Sequence, residues 1–131
     1  MSDIYNPLDK FGQFIVENMR DRGIDYYDKL VQGSWKASSL KLLQENLNQF
    51  DEKQLCIIRQ CIVSSIDTAT HDFLFALQES SDLNDDIQII VDGHNVAELS
   101  DGLDEELYSE YGWYDKYSYF GEDGSRLDSI L

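Results

Sequence analysis

Between Asp51 and Glu79 the chain runs 29 residues, DEKQLCIIRQCIVSSIDTATHDFLFALQE, without a proline or a glycine. Its start carries a helix signal: Asp51 can accept from the first free backbone N–H groups, and Gln54, three residues on, can reach back to complete a capping box. Leu55, Ile58, Ile62, Ile66, Ala69, Phe73 and Leu77 then follow at intervals of three and four, which at about 100° per residue is one apolar stripe. A helix of this length spans roughly 43 Å, enough to cross a small domain. Ile57 and Phe75 project opposite the stripe, with Val63 and Leu74 on a flank. Gln60, Ser64, Asp67, His71 and Gln78 form a polar seam between the apolar faces. A helix apolar over most of its circumference is normally a central one. The spacing therefore predicts the spine of the fold, and the seam is the place to look for a pocket.

The flanking sequence predicts shorter elements. Asn6-Pro7 starts a first helix with Leu8, Phe11, Ile15 and Met19 on one face, and Gly23 is its expected stop. Residues 24–32 read as a second helix ended by Gly33. Ser34 is the expected cap of a third helix, on which Leu40, Leu43, Leu47 and Phe50 recur at helical spacing. After Glu79 the period changes. Ile87, Ile89 and Val91 alternate along a strand, Asp92-Gly93 is a hairpin turn signal, and 94–98 read as the returning strand. Leu103 to Tyr111 predict a short acidic helix. The expected architecture is mostly α: one domain over 1–131, a four-helix core around a long central helix (51–79), and a small β-hairpin and short helix at the C-terminal end.

Charge narrows the function classes. The chain of 131 residues has a formal net charge of −16, unevenly placed. Residues 1–78 carry 11 acidic and 8 basic side chains, whereas residues 79–131 carry 15 acidic and 2 basic. A phosphate backbone needs a positive face, so nucleic acid is not an expected partner, and a basic protein is. Cys56 and Cys61, five apart on the predicted helix, point about 140° away from each other and read as reduced thiols, Cys61 buried. The first ten residues, MSDIYNPLDK, lack a basic stretch followed by an apolar run, and no segment reaches the roughly 20 apolar residues of a membrane span. The expectation is a cytoplasmic protein with no membrane partner.

Catalytic signals are sparse. Asp67 and His71, four apart, can touch on one helical face, as a base or a metal ligand and its orienting carboxylate would. Ser64 is too far from His71, at roughly 10 Å along the axis, to complete a triad. A metal would need a third ligand such as Glu79 or Asp72, and neither lies on the same face; a packed structural pair is the plainer reading. No phosphate-binding, CxxC or HExxH motif occurs, so no cofactor or metal is expected.

The most unusual composition lies at Tyr108–Phe120, YSEYGWYDKYSYF, with seven aromatic residues in thirteen. Trp113 and Phe120 are the expected core members. The remaining rings, beside Glu110 and Asp115, offer contact area and negative charge to a basic partner. Asp25-Tyr26-Tyr27-Asp28 repeats that chemistry. In size, acidity, helical content and this acid-flanked tyrosine pair the chain resembles the small acidic immunity proteins that neutralise bacterial nuclease toxins. The resemblance implies a non-catalytic inhibitor that binds and blocks a basic toxin domain. In the helical colicin-nuclease immunity proteins such a tyrosine pair forms the binding face. The expected contact residues are Asp101, Asp104, Glu105, Glu106, Tyr108, Glu110, Tyr111 and Asp115, with Tyr26 and Tyr27. Two alternatives stand beside it: a small metal-binding protein or enzyme built on Asp67 and His71, and an acidic adaptor without chemistry.

Overall fold

In the computed structural model, which describes residues 6–84 and 86–125, residues 7–32 form one rod. Helix α1 (Pro7–Ile15) starts where the Asn6 side chain accepts from Asp9 N at 2.8 Å. A π-turn (Val16–Arg20) joins it directly to α2 (Asp21–Gln32), which ends at Gly33 with φ +70°. In an uninterrupted α-helix Ile15 and Ile24, nine residues apart, would point to opposite sides. The wider turn absorbs the difference, and both are buried. The Asn18 side-chain amide donates to Phe14 O within this turn, occupying a carbonyl where the i+4 ladder is interrupted.

Gly23 is therefore not a stop. It sits inside α2, where a Cβ would come within 2.8 Å of the Ile66 Cδ1. Its missing side chain serves close approach of two helices rather than chain termination. Ser34 is not a cap either. Helix α3 (Lys41–Leu47) begins after a 3-10 turn at Ser38–Leu40, and Gln44 secures the preceding loop by accepting from Trp35 N and donating to Trp35 O.

Helix α4 (Glu52–Asp82) is the predicted spine, 31 residues long, and it opens with the predicted capping box. Gln54 N donates to Asp51 Oδ1 and Asp51 N to Gln54 Oε1, at 2.8 and 2.9 Å. It runs antiparallel to the α1–α2 rod. Its first half packs Leu55, Ile58 and Ile62 on Tyr27, Leu30 and Leu47. Its second half buries Leu74 and Leu77 with Phe11, Ile15 and Val16.

The buried face of α4 is rotated from the predicted stripe. Val63, Thr70, Leu74, Leu77 and Gln78 are buried, while Phe73 is 50% exposed and Ala69 is exposed. The cause lies in the C-terminal segment, which packs on the seam side. Gln78 donates to Ala97 O and accepts from Leu103 N, drawing a polar residue inward because both its amide groups find backbone partners. Ile57 and Phe75, about half exposed, leave the opposite side of the spine uncovered.

The hairpin is shorter than expected, with β1 (Ile90–Val91) paired to β2 (His94–Asn95) in the register Ile90↔Asn95. Asp92 and Gly93 both have positive φ, as the tight hairpin turn requires, and Lys10 ties the turn to α1 by an ion pair with Asp92 at 3.0 Å. The predicted short acidic helix is a 3-10 helix confined to Leu103–Leu107, and α5 (Trp113–Tyr117) closes the core. Trp113 lies 1% exposed against Gly12, and Phe120 is 2% exposed, as the composition of this stretch suggests. Cys61 is exposed rather than buried, because it lies on the uncovered side of α4. Among the described residues no helix is long and apolar enough to cross a membrane.

Candidate functional site

Two arginines organise the middle of the molecule. Arg20, wholly buried, lies across from Asp67 of α4 and donates to both its carboxylate oxygens, at 2.7 and 3.1 Å. Its other donors reach Ser118 Oγ, Gly121 O and Glu122 O at 2.7–3.0 Å, so all five N–H groups have an acceptor. The Tyr114 ring lies 3.9 Å from the guanidinium carbon. Two helical turns away the polarity is reversed: Arg59 of α4 donates to both oxygens of Asp28 on α2, at 2.8 and 3.1 Å, and also to Gly124 O. The two pairs link the antiparallel helices, and the same guanidinium groups hold the 118–124 turn against them. Asp21 adds to this by accepting from Ser118 Oγ and Tyr119 N.

The turn so held forms one wall of an open groove of about 760 Å³ between α2 and α4. Val31, Leu55 and Val63 give it an apolar floor. Glu52 lies at one end, Asp123 on the turn and Tyr108 at the mouth towards the acidic segment. Burial, reinforced by the Asp67 carboxylate, raises the Tyr108 phenol above its ordinary value, and burial with Asp28 does the same to Tyr27. Asp123 is held below the usual carboxylate range by hydrogen bonds from the Ser125 N–H and hydroxyl. The seam thus does border a pocket, through Gln60, Ser64 and Asp67.

The expected contact residues fall into three groups. Asp101, Glu105 and Glu110 are exposed. Asp104, Glu106 and Asp115 are committed to the protein's own structure: Asp104 to His71 Nε2 at 3.4 Å, Glu106 to Ser100 Oγ, Asp115 to the Tyr111 N–H. Tyr108 stands edge-on to Tyr114 and keeps 37% of its surface exposed, while Tyr111 is 74% exposed.

The tyrosine pair does not act as a pair. Tyr26 is exposed beside Trp35, but Tyr27 is 5% exposed and donates to Leu55 O. Adjacent helical residues diverge by about 100°, so only one of them can face solvent when the other meets α4. Tyr26 is also remote from the acidic segment. Leu55, at its level, and Gln78, which holds Leu103, are separated by about 34 Å along α4.

Asp67 and His71 are not partnered with each other. Arg20 takes the carboxylate, and His71 lies between Asp72 at 3.1 Å and Asp104 at 3.4 Å. Among the described residues no group of three His, Cys, Asp or Glu side chains is placed to hold a metal ion.

The arginines and Asp28 escape a reading by motif. Their signal is positional: Arg20 stands between Val16 and Ile24, and Arg59 between Leu55 and Val63, each interrupting an apolar i, i+4 row. A charge at such a position is normally paired when buried. The chain matches no known protein-family model, and no curated protein and no solved structure is detectably similar to it.

Proposed function

We propose that the protein is a binding inhibitor of the immunity-protein kind, which attaches to a basic toxin domain and blocks it without chemistry of its own. The observation that carries this reading is the backbone around Tyr111. Ser109 and Tyr111 both adopt left-handed conformations, at φ +84° and +70°. Such a backbone is costly for a bulky residue and persists only where its surroundings hold it. Here Ser109 N donates to Glu122 and Tyr111 N to Asp115, and the result is an aromatic ring presented to solvent beside Glu110. Tyr108, three residues earlier, connects this point to the mouth of the groove. Rigid rings flanked by carboxylates suit a basic protein surface.

The test is capture from a lysate of the source organism at low salt, followed by elution in a salt gradient. A basic protein that is released as salt rises, and whose toxicity the chain suppresses, supports the reading. Capture unaffected by ionic strength contradicts it, because association steered by net charge weakens with screening.

A further inference from the structure

Resting on that partner-binding reading, we propose that the groove between α2 and α4 seats one basic, amphipathic helix of the protein partner. Among the described residues, α2, α4 and the 123–125 turn border a groove that follows α4 from Glu52 to Thr68, about 24 Å. Val31, Leu55 and Val63 provide an apolar floor for side chains at i, i+3 or i+4, and i+7 of one helical face.

The charges sort into two kinds. Asp28 and Asp67 are spent on Arg59 and Arg20, so they rigidify the groove rather than attract an occupant. Glu52 and Asp123, both lining the groove, have no ion-pair partner among the described residues. Lysine or arginine flanking the apolar face of the incoming helix would meet them. An acidic helix would meet carboxylates there and the repulsion of a chain of charge −16. The groove wall is itself held by Arg20 and Arg59, which donate to the carbonyls of Gly121, Glu122 and Gly124. The site is therefore formed before binding and does not need to be assembled by the occupant.

The probe is a fluorescein-labelled peptide of about 16 residues, leucine on one helical face and lysine on the flanks, set against a scrambled peptide of the same composition. Anisotropy titrations of the full chain at about 0.15 M salt give the affinities. The patterned peptide is expected to bind about tenfold or more tightly than the scrambled one. Reversal of the rim, Glu52→Lys with Asp123→Lys, should remove about tenfold, while the exposed pair Glu79→Lys with Glu98→Lys, outside the groove, changes binding less than about twofold.

Equal binding of the two peptides, or equal losses from rim and remote reversals, overturns the assignment in favour of unspecific attraction. Sedimentation showing a dimer that the rim reversal dissociates overturns it in favour of a second copy of this chain. If the peptide fails while a lysate partner is still captured, only the groove assignment falls. If the peptide binds while no basic partner is captured, the groove assignment stands and the inhibitor reading falls.

Discussion

The Arg20 guanidinium and the Asp67 carboxylate meet through two parallel hydrogen bonds, 47 residues apart in sequence and on facing helices. Asp67 keeps 17% of its side-chain surface at the groove, whereas Arg20 keeps none. Bidentate geometry and complete donor satisfaction are the conditions under which a buried pair offsets its desolvation cost.

Removing only the cation should therefore be severe. Arg20→Ala leaves Asp67 without its partner and frees the carbonyls of Gly121 and Glu122, at an expected cost of about 3–5 kcal/mol in urea unfolding. Arg20→Met combined with Asp67→Leu should be less damaging than Arg20→Ala, since no uncompensated charge remains. Equal losses would mean that the loop anchors, not the ion pair, carry the effect.

Two helical glycines should respond in different ways to alanine. At Gly12 a Cβ would overlap the Trp113 indole, which is locked in the core, so overpacking outweighs the gain in helix propensity and Gly12→Ala should cost about 1–3 kcal/mol. At Gly23 the obstacle is one terminal methyl of Ile66, which can rotate. The propensity gain of up to about 1 kcal/mol then makes Gly23→Ala neutral or stabilising. Thermal melts of both variants check the contrast.

Alkaline pH should weaken the fold through Tyr114. Burial, followed by the neighbouring Asp67 carboxylate, raises its phenol well above the ordinary 10.0. The folded state then holds a proton that the unfolded chain releases, so the stability is fully present below pH 10.0 and falls as pH rises above it. Among the described residues the buried hydroxyl has no hydrogen-bond partner in normal geometry, although the Asp67 carboxylate is near enough to influence it. Tyr114→Phe keeps the ring under Arg20, and should match or exceed the wild-type stability by about 1 kcal/mol at neutral pH. It should also flatten the fall in urea midpoint above pH 10.0.

Tyr111→Gly should move stability and binding in opposite directions. Glycine accepts φ +70° without steric cost, so the fold should gain about 1 kcal/mol. The outward ring is lost, and capture of the basic partner should weaken by about tenfold or more. A variant that is both more stable and fully active in capture would remove Tyr111 from the interface.

The sequence announces the long helix because its cap and its uninterrupted run are local properties, and Asp51 and Gln54 behave as their spacing predicts. Trp113 and Phe120 are buried as expected, although ring size alone does not decide burial, since Phe73, Phe75 and Tyr111 remain half or more exposed. The face that α4 buries is not legible. Gln78 is polar in isolation and is drawn inward only because Ala97 and Leu103, 19 and 25 residues away, supply backbone partners. Gly23 misleads for a related reason: a glycine that lets Ile66 approach looks the same, in one sequence, as one that ends a helix. The groove is half visible, in Asp67 and its seam, but the two arginines that shape it and the 118–124 turn they hold come from three separate stretches of chain.

The π-turn at Val16–Arg20 has a consequence for chain length. The rod carries one residue more than a regular helix would need to keep its two buried faces in line. Loss of Asn18, which is exposed, would return this stretch to ordinary α-helix with Ile15 and Ile24 still turned inward, and the Phe14 carbonyl would no longer require the amide that disappears with it. A one-residue deletion inside α2 or α4 has no such escape, because it rotates everything beyond it by about 100°. Length variation in this fold is therefore tolerable at one place in the rod, and there only by shortening.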